Sequence, residues 1–323
     1  MRIVHCRQLG PPESLVLEDV APPELGPGQV RIGVKAAGVN YPDNLIIQGL
    51  YQMRPALPFA PGSEVAGVIL EVAPGVTRLS VGDRVCAFTG YGGFAEQVCV
   101  DAARVVPIPA DMPWDVAAGF TVVYATTWFA LNERARLQPG ETLLVLGAAG
   151  GVGLAAVQLG KAMGARVIAA AGSDHKLELT AAHGADEGIN YRAHDLDSRL
   201  RAVAPHGLDV VYDPVGGDST NVALKRMAWN GRLLVVGFAS GEIPAIKANL
   251  VLLKNCQVMG VHWGVSVDRD PNGHAEAMAA LFERWTQGAL APLVSEAMPL
   301  EEAPAALRAL RDRRAVGKLV LTV

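Results

Sequence analysis

One stretch constrains this chain more than any other: Leu143-Leu144-Val145-Leu146-Gly147-Ala148-Ala149-Gly150-Gly151-Val152-Gly153. Four apolar residues that suit a strand covered on both faces run into a glycine turn. A helical segment, Val152-Met163, starts at once and is closed by Gly164. Gly150 and Gly153 take the second and third places of a G-x-G-x-x-G pattern, with Ala148 in the first. Missing side chains let a backbone approach a pyrophosphate, whose charge then rests on the free N–H groups of the helix start. A glycine motif alone is weak evidence. Here five more strand-like segments follow, Arg166-Ala170, Gly188-Asn190, Leu208-Tyr212, Arg232-Val236 and Gln257-His262, with helix-length segments between them. That alternation predicts an α/β fold with a doubly wound parallel sheet.

The flanks read differently. Before residue 110 the chain holds short strands, Leu15-Val20, Gln29-Val34, Gly67-Val72, Asp83-Phe88, Phe94-Val100 and Arg104-Ile108, broken by turns such as Pro22-Pro23 and Pro74-Gly75. Such spacing predicts a partly closed β-barrel. The last 60 or so residues leave the alternation, with helices near His274-Gln287 and Ala303-Arg311 and a final strand Lys318-Val323. We expect them to return to the first domain. The domains would then be 1–121 plus 265–323, split around an inserted 122–264.

Composition excludes several classes. With 50% hydrophobic and 19% charged residues the chain is not disordered. A formal net charge of -4 leaves no electrostatic footprint for nucleic acid. No apolar run reaches the roughly 18 residues of a membrane span. Met1-Arg2-Ile3-Val4-His5-Cys6 opens no long apolar segment, so no export signal is expected and the cytoplasm is the expected compartment. Cys6, Cys86, Cys99 and Cys256 form no CxxC pair, and the seven histidines show no H-x-x-x-H spacing.

The choice of dinucleotide is read at the end of the second strand. An NAD site places an acid there. Here Ala171-Gly172 stand in that place, followed by Ser173, Asp174 and Lys176. Ser173 and Lys176 suit a 2′-phosphate, so NADPH is expected. Asp174 is the counter-argument, since a slipped register would let it bond a ribose hydroxyl.

Longer motifs carry a family resemblance. They include Ala36-Ala37-Gly38-Val39-Asn40-Tyr41-Pro42-Asp43, Gln48-Gly49-Leu50-Tyr51, Pro61-Gly62-Ser63-Glu64-Val65-Ala66-Gly67 and Val81-Gly82-Asp83-Arg84-Val85. Further on come the glycine turn, Ile189-Asn190-Tyr191, Asp209-Val210-Val211-Tyr212-Asp213 and Gly317-Lys318-Leu319-Val320. Over nearly its full length the chain resembles the zinc-independent medium-chain dehydrogenase/reductases, in particular the NADPH:quinone oxidoreductase (zeta-crystallin-like) group. The resemblance implies a GroES-like β-barrel catalytic domain split around an inserted Rossmann domain, with NADPH in the cleft between them. It implies that Ser173, Lys176 and Tyr191 surround the 2′-phosphate and that Gly150, Gly151, Val152 and Gly153 hold the pyrophosphate. Asn40, Thr126 and Thr127 would lie near the nicotinamide. Gly237, Phe238, Ala239, His262, Trp263, Gly264, Gly317 and Lys318 would complete the cofactor site.

Zinc-dependent relatives place three metal ligands where this chain reads Asn40, Ser63 and Ala118, and none of these replaces thiolate or imidazole. Only six residues separate Val85 from Gly92, too few for a structural zinc lobe. No metal is expected, and Glu64 keeps an acid beside the lost ligands in a structural role. Without a Lewis acid, an acceptor that spreads charge over its own π-system is the expected small-molecule substrate. A quinone is the first choice; an enone, a 2-alkenal or an acryloyl thioester is the alternative. Asn40 and Tyr51 are the candidates to bond the substrate oxygen. A non-catalytic NADPH-binding protein is the reading from another class. The strand Gln257-His262 at a sheet edge predicts a homodimer.

Overall fold

The computed structural model describes every residue, Met1–Val323. The chain divides into two compact units, one of Met1–Val122, Gly264–Thr286 and Pro292–Val323, the other of Val123–Trp263 and Gln287–Ala291. The short return Gln287–Ala291, read above as part of the first domain, belongs to the second unit. The reason is a two-way clasp: Gln158 Nε2 donates to the Ala291 carbonyl at 2.9 Å, and the Ala291 N–H donates to Gln158 Oε1 at 2.8 Å.

The second unit is the doubly wound α/β sheet. Its six strands are all parallel and lie in the order Glu187–Asn190, Arg166–Ala171, Thr142–Leu146, Leu208–Asp213, Met227–Val235, Gln257–Gly260. In chain order this is 3-2-1-4-5-6, the Rossmann arrangement. The order reverses between Thr142–Leu146 and Leu208–Asp213, where ligands bind beyond the carboxyl ends of the strands. Leu143, Leu144, Val145, Val210, Val211 and Tyr212 are fully buried, as strands covered on both faces require. The strand Met227–Val235 starts five residues earlier than expected, and the edge strand stops at Gly260 rather than His262.

The first unit is the expected barrel-like sheet. Seven strands pair in it: Val294–Pro299, Lys318–Thr322, Gln29–Val39, Glu64–Val72, Arg84–Phe88 and Val105–Pro107 in line, with Gln97–Asp101 on the other side of Gln29–Val39. Gln29–Val39 is 11 residues long, and register shifts at Arg31/Ile32 and Val34/Ala36 bend it. Several elements went unread in the sequence, among them the strand Arg2–His5 and the helix Tyr41–Ile46. The strand Val294–Pro299 is mostly exposed, with only Met298 buried, and the helix Trp263–Arg269 starts on residues read as a cofactor loop. The helix expected near His274-Gln287 spans Pro271–Thr286 and buries Met278, Leu281 and Phe282.

Candidate functional site

In the second unit the ligand-facing surface is built from backbone. Gly147 follows its strand at φ +60°, a conformation that costs other residues a Cβ clash, so the tight turn falls one residue before Ala148, which holds the first place of the pattern. A Cβ on Gly153 would overlap the Gly147 carbonyl, so the turn can pack on the helix only with glycine there. Gly150 caps the helix Gly151–Ala162, and Leu154 N–H bonds the Gly150 carbonyl at 2.8 Å. The first N–H groups of that helix have no carbonyl to bond within it and stand at the switch point of the sheet.

Across the switch point Asp213 organises the next loop. Its Oδ1 accepts from the N–H groups of Val215 and Gly216 at 2.8 and 2.9 Å, and its Oδ2 accepts from the Thr220 hydroxyl. The loop holding Gly237, Phe238 and Ala239 is tied to this one: Gly237 N–H bonds the Asp213 carbonyl and Ala239 N–H the Pro214 carbonyl. Phe238 remains partly exposed. These three predicted residues therefore lie beside the glycine turn's own sheet end.

The predicted phosphate residues also come together. Ser173 caps the helix Asp174–Ala182, its hydroxyl accepting from the Lys176 N–H at 3.4 Å. A Cβ on Gly172 would lie 3.3 Å from the Tyr191 hydroxyl and 3.2 Å from Arg192 Nε, so both side chains reach that turn. Burial, and then the Arg192 charge, lower the Lys176 pKa from its ordinary value. Asp174 is turned aside, its Oδ1 accepting from Asn190 Nδ2 at 2.8 Å. Arg192 was missed in the sequence, although it directly follows the quoted Tyr191. Two cations beside a helix start suit a dianion.

Thr127 is corrected. It is fully buried, and its hydroxyl bonds the Val123 carbonyl at 2.7 Å and the Tyr212 hydroxyl at 3.0 Å. That spends its polar atom inside the unit, so it supports the glycine helix and does not present itself to a ligand. Thr126, on the same helix Thr121–Trp128, is half-buried. Trp263 is buried at the start of its helix, His262 just before it is exposed, and Gly264 lies against Phe88.

In the first unit the predicted residues converge on a buried polar cluster. Asn40 ends the long strand and caps the helix Tyr41–Ile46; Ser63 and Glu64 open the strand Glu64–Val72; Lys318 opens the last strand. Lys318 Nζ donates to Asn40 Oδ1 at 2.5 Å and pairs with Glu64 Oε1 at 2.6 Å. Glu64 is 0% exposed and Lys318 6%. Glu64 Oε2 accepts from the Val122 N–H at 2.7 Å. Asn40 Nδ2 gives its two hydrogens to Glu64 Oε1 at 2.9 Å and Ser63 Oγ at 3.1 Å.

Two expectations change here. Asn40 was a candidate to bond substrate, but its amide is fully spent inside the cluster. Lys318 was a candidate cofactor contact, but its ammonium is held by Asn40 and Glu64. Gly317 precedes it at φ +62° and lies against the Leu293 carbonyl. Asp43 adds a second buried carboxyl, accepting from the N–H groups of Asn40 at 2.7 Å and Gly62 at 3.2 Å. Burial outweighs those bonds and pushes its pKa up to about 7. Tyr51 is half-buried against the barrel core, and burial, then the Asp43 charge, raises its phenol. No group of three His, Cys, Asp or Glu side chains is arranged to hold a metal ion. An amide, a hydroxyl and an ammonium do not fit a zinc ion, whose ligands must be thiolate, imidazole or carboxylate.

Comparison with known proteins agrees with both units. The zinc-binding dehydrogenase family matches residues 151–283, and the alcohol dehydrogenase GroES-like domain matches residues 26–110. Quinone oxidoreductase-like protein 2 of Rattus norvegicus is 38% identical over 324 residues, covering 100% of this chain and 92% of that protein. A probable oxidoreductase from Mycobacterium abscessus is 36% identical and superposes with a TM-score of 0.90, covering 100% and 99% of the two chains. Escherichia coli quinone oxidoreductase, solved in complex with NADPH, is 28% identical with a TM-score of 0.94 and covers 100% of both. A GroES-like sheet, a Rossmann sheet in 3-2-1-4-5-6 order and this end-to-end identity mark the chain as a member of the medium-chain dehydrogenase/reductase family.

Proposed function

We propose that this protein is an NADPH-dependent reductase of quinones that works without a metal. The observation that carries the reading is the glycine turn at the Rossmann switch point together with Lys176 and Arg192 beside the Ser173 cap. Gly150, Gly151, Val152 and Gly153 would hold the pyrophosphate, and Ser173, Lys176, Tyr191 and Arg192 the 2′-phosphate. When bound, NADPH supplies a hydride equivalent. The chain's own residues then orient the acceptor and steady charge on its oxygen. A quinone spreads that charge over its conjugated ring, which makes hydrogen bonds an adequate substitute for a Lewis acid. The NADPH complex of the Escherichia coli quinone oxidoreductase supports both choices.

The test mixes protein, NADPH and 1,4-benzoquinone and follows the loss of the reduced-nicotinamide absorbance. Turnover with the quinone, and slower or no turnover with a 2-alkenal, is expected. A faster alkenal would make this an enone reductase. NADPH binding by calorimetry without turnover on either acceptor would make it a non-catalytic binder.

We further propose a cytoplasmic homodimer. Four cysteines, none of them bonded, suit a reducing compartment, and no helix is long and apolar enough to cross a membrane. The edge strand Gln257–Gly260 has no neighbour on one side, and near it in sequence Leu252 and Leu253 are 78% and 68% exposed. Light scattering should give about twice the 33.9 kDa chain mass; a single-chain mass at micromolar concentration would refute the dimer.

A further inference from the structure

Directions in the Asn40 cluster are dictated by the one residue that can only donate. The Lys318 ammonium has three hydrogens and no acceptor. Because it bonds Asn40 Oδ1, the Asn40 amide has a single orientation, with its oxygen toward Lys318 and its nitrogen toward Glu64 and Ser63. Ser63 Oγ therefore accepts from Asn40, and its own hydrogen points elsewhere. Ser63 is 7% exposed, and its carbonyl is pinned by the N–H groups of Thr89 and Gly90 at 2.9 and 3.2 Å. No protein acceptor takes the hydroxyl hydrogen. A buried donor without an acceptor is costly unless a ligand supplies one.

We propose that Ser63 donates this hydrogen bond to the carbonyl oxygen of the bound acceptor, and that Lys318, Asn40 and Glu64 are positioning residues that aim it. The proposal rests on the reductase reading above. Adding a hydride to a conjugated carbonyl places negative charge on its oxygen, where an aimed donor is most effective. The chain of donors runs one way, from ammonium to amide to hydroxyl to substrate oxygen, and each bond polarises the next. Ser63 keeps its proton. The proton that completes the reduction comes from water, so the quinone gains one hydride and one proton and leaves as the hydroquinone.

Steady-state kinetics with 1,4-benzoquinone and NADPH test it. Ser63→Ala should lower kcat roughly a hundredfold and leave the KM for NADPH unchanged. Ser63→Thr keeps the hydroxyl and should keep most of the activity. Ser63→Cys, a weak donor of similar shape, should fall between them and serves if the alanine variant does not fold. Asn40→Asp puts an acceptor where the Nδ2 hydrogens were, captures the Ser63 hydrogen, and should lower kcat like Ser63→Ala with NADPH binding intact by calorimetry. A wild-type kcat in folded Ser63→Ala overturns the proposal alone. A wild-type protein that binds NADPH but reduces no acceptor overturns the reductase reading, and this with it.

Discussion

The two units build their candidate sites from different material. In the Rossmann unit the site is backbone: a positive-φ glycine, a helix start and loops stitched by main-chain bonds. Side chains enter mainly at the turn around Gly172 and Ser173. In the GroES-like unit the candidate site is a buried set of side chains, locked to one another from segments far apart in the chain; Lys318 and Asn40 are 278 residues apart. A backbone site depends on what is missing from a residue, namely a Cβ. A side-chain site depends on every partner being present, because each buried charge is paid for by its neighbour.

The sharpest way to break that contrast is Lys318→Met. It leaves Glu64 buried without its counter-charge and should cost about 3–5 kcal/mol of stability, read by denaturant unfolding. An unchanged midpoint would mean the cluster is not held by its charges. Next comes Gly153→Ala in the backbone site. Its Cβ meets the Gly147 carbonyl, so we expect about 1–3 kcal/mol lost and NADPH binding at least roughly tenfold weaker by calorimetry. Lys176→Ala should raise the KM for NADPH roughly tenfold or more and leave that for NADH nearly unchanged, with Arg192→Ala acting in the same direction. Equal effects on both coenzymes would move the phosphate elsewhere.

The smallest effect is in the pH dependence. The Asp43 pKa is raised from 3.8 to about 7, so between those values the folded state holds a proton that the unfolded chain has released. This group therefore makes stability fall as pH rises from about 4 to 7. Asp43→Asn should flatten that part of the profile relative to the parent, measured as Tm against pH. A profile with the same slope in both would show that Asp43 is ionised throughout.

Legibility in the sequence followed the same division. The Rossmann strands, the glycine turn and the helix stops were readable because each is a local pattern of apolar runs and glycines. The strand Val294–Pro299 was not, because it borrows its place from pairing with Lys318–Thr322 and carries little apolar alternation of its own. Residue identities at Asn40, Ser63, Glu64 and Lys318 were readable as motifs, but their bonds were not. Thr127 carried no sign that its hydroxyl would turn inward to Tyr212, and Arg192 none that it would reach Gly172.

The sequence by itself determined a Rossmann sheet with a glycine turn opening its first helix, since period, glycine placement and helix ends act over a few residues. Which hydrogens in the other unit are already spent, and which one remains to offer, was decided only in three dimensions. Hydrogen-bond direction is a property of partners brought together, and one ammonium at the far end of the chain sets it for the whole cluster.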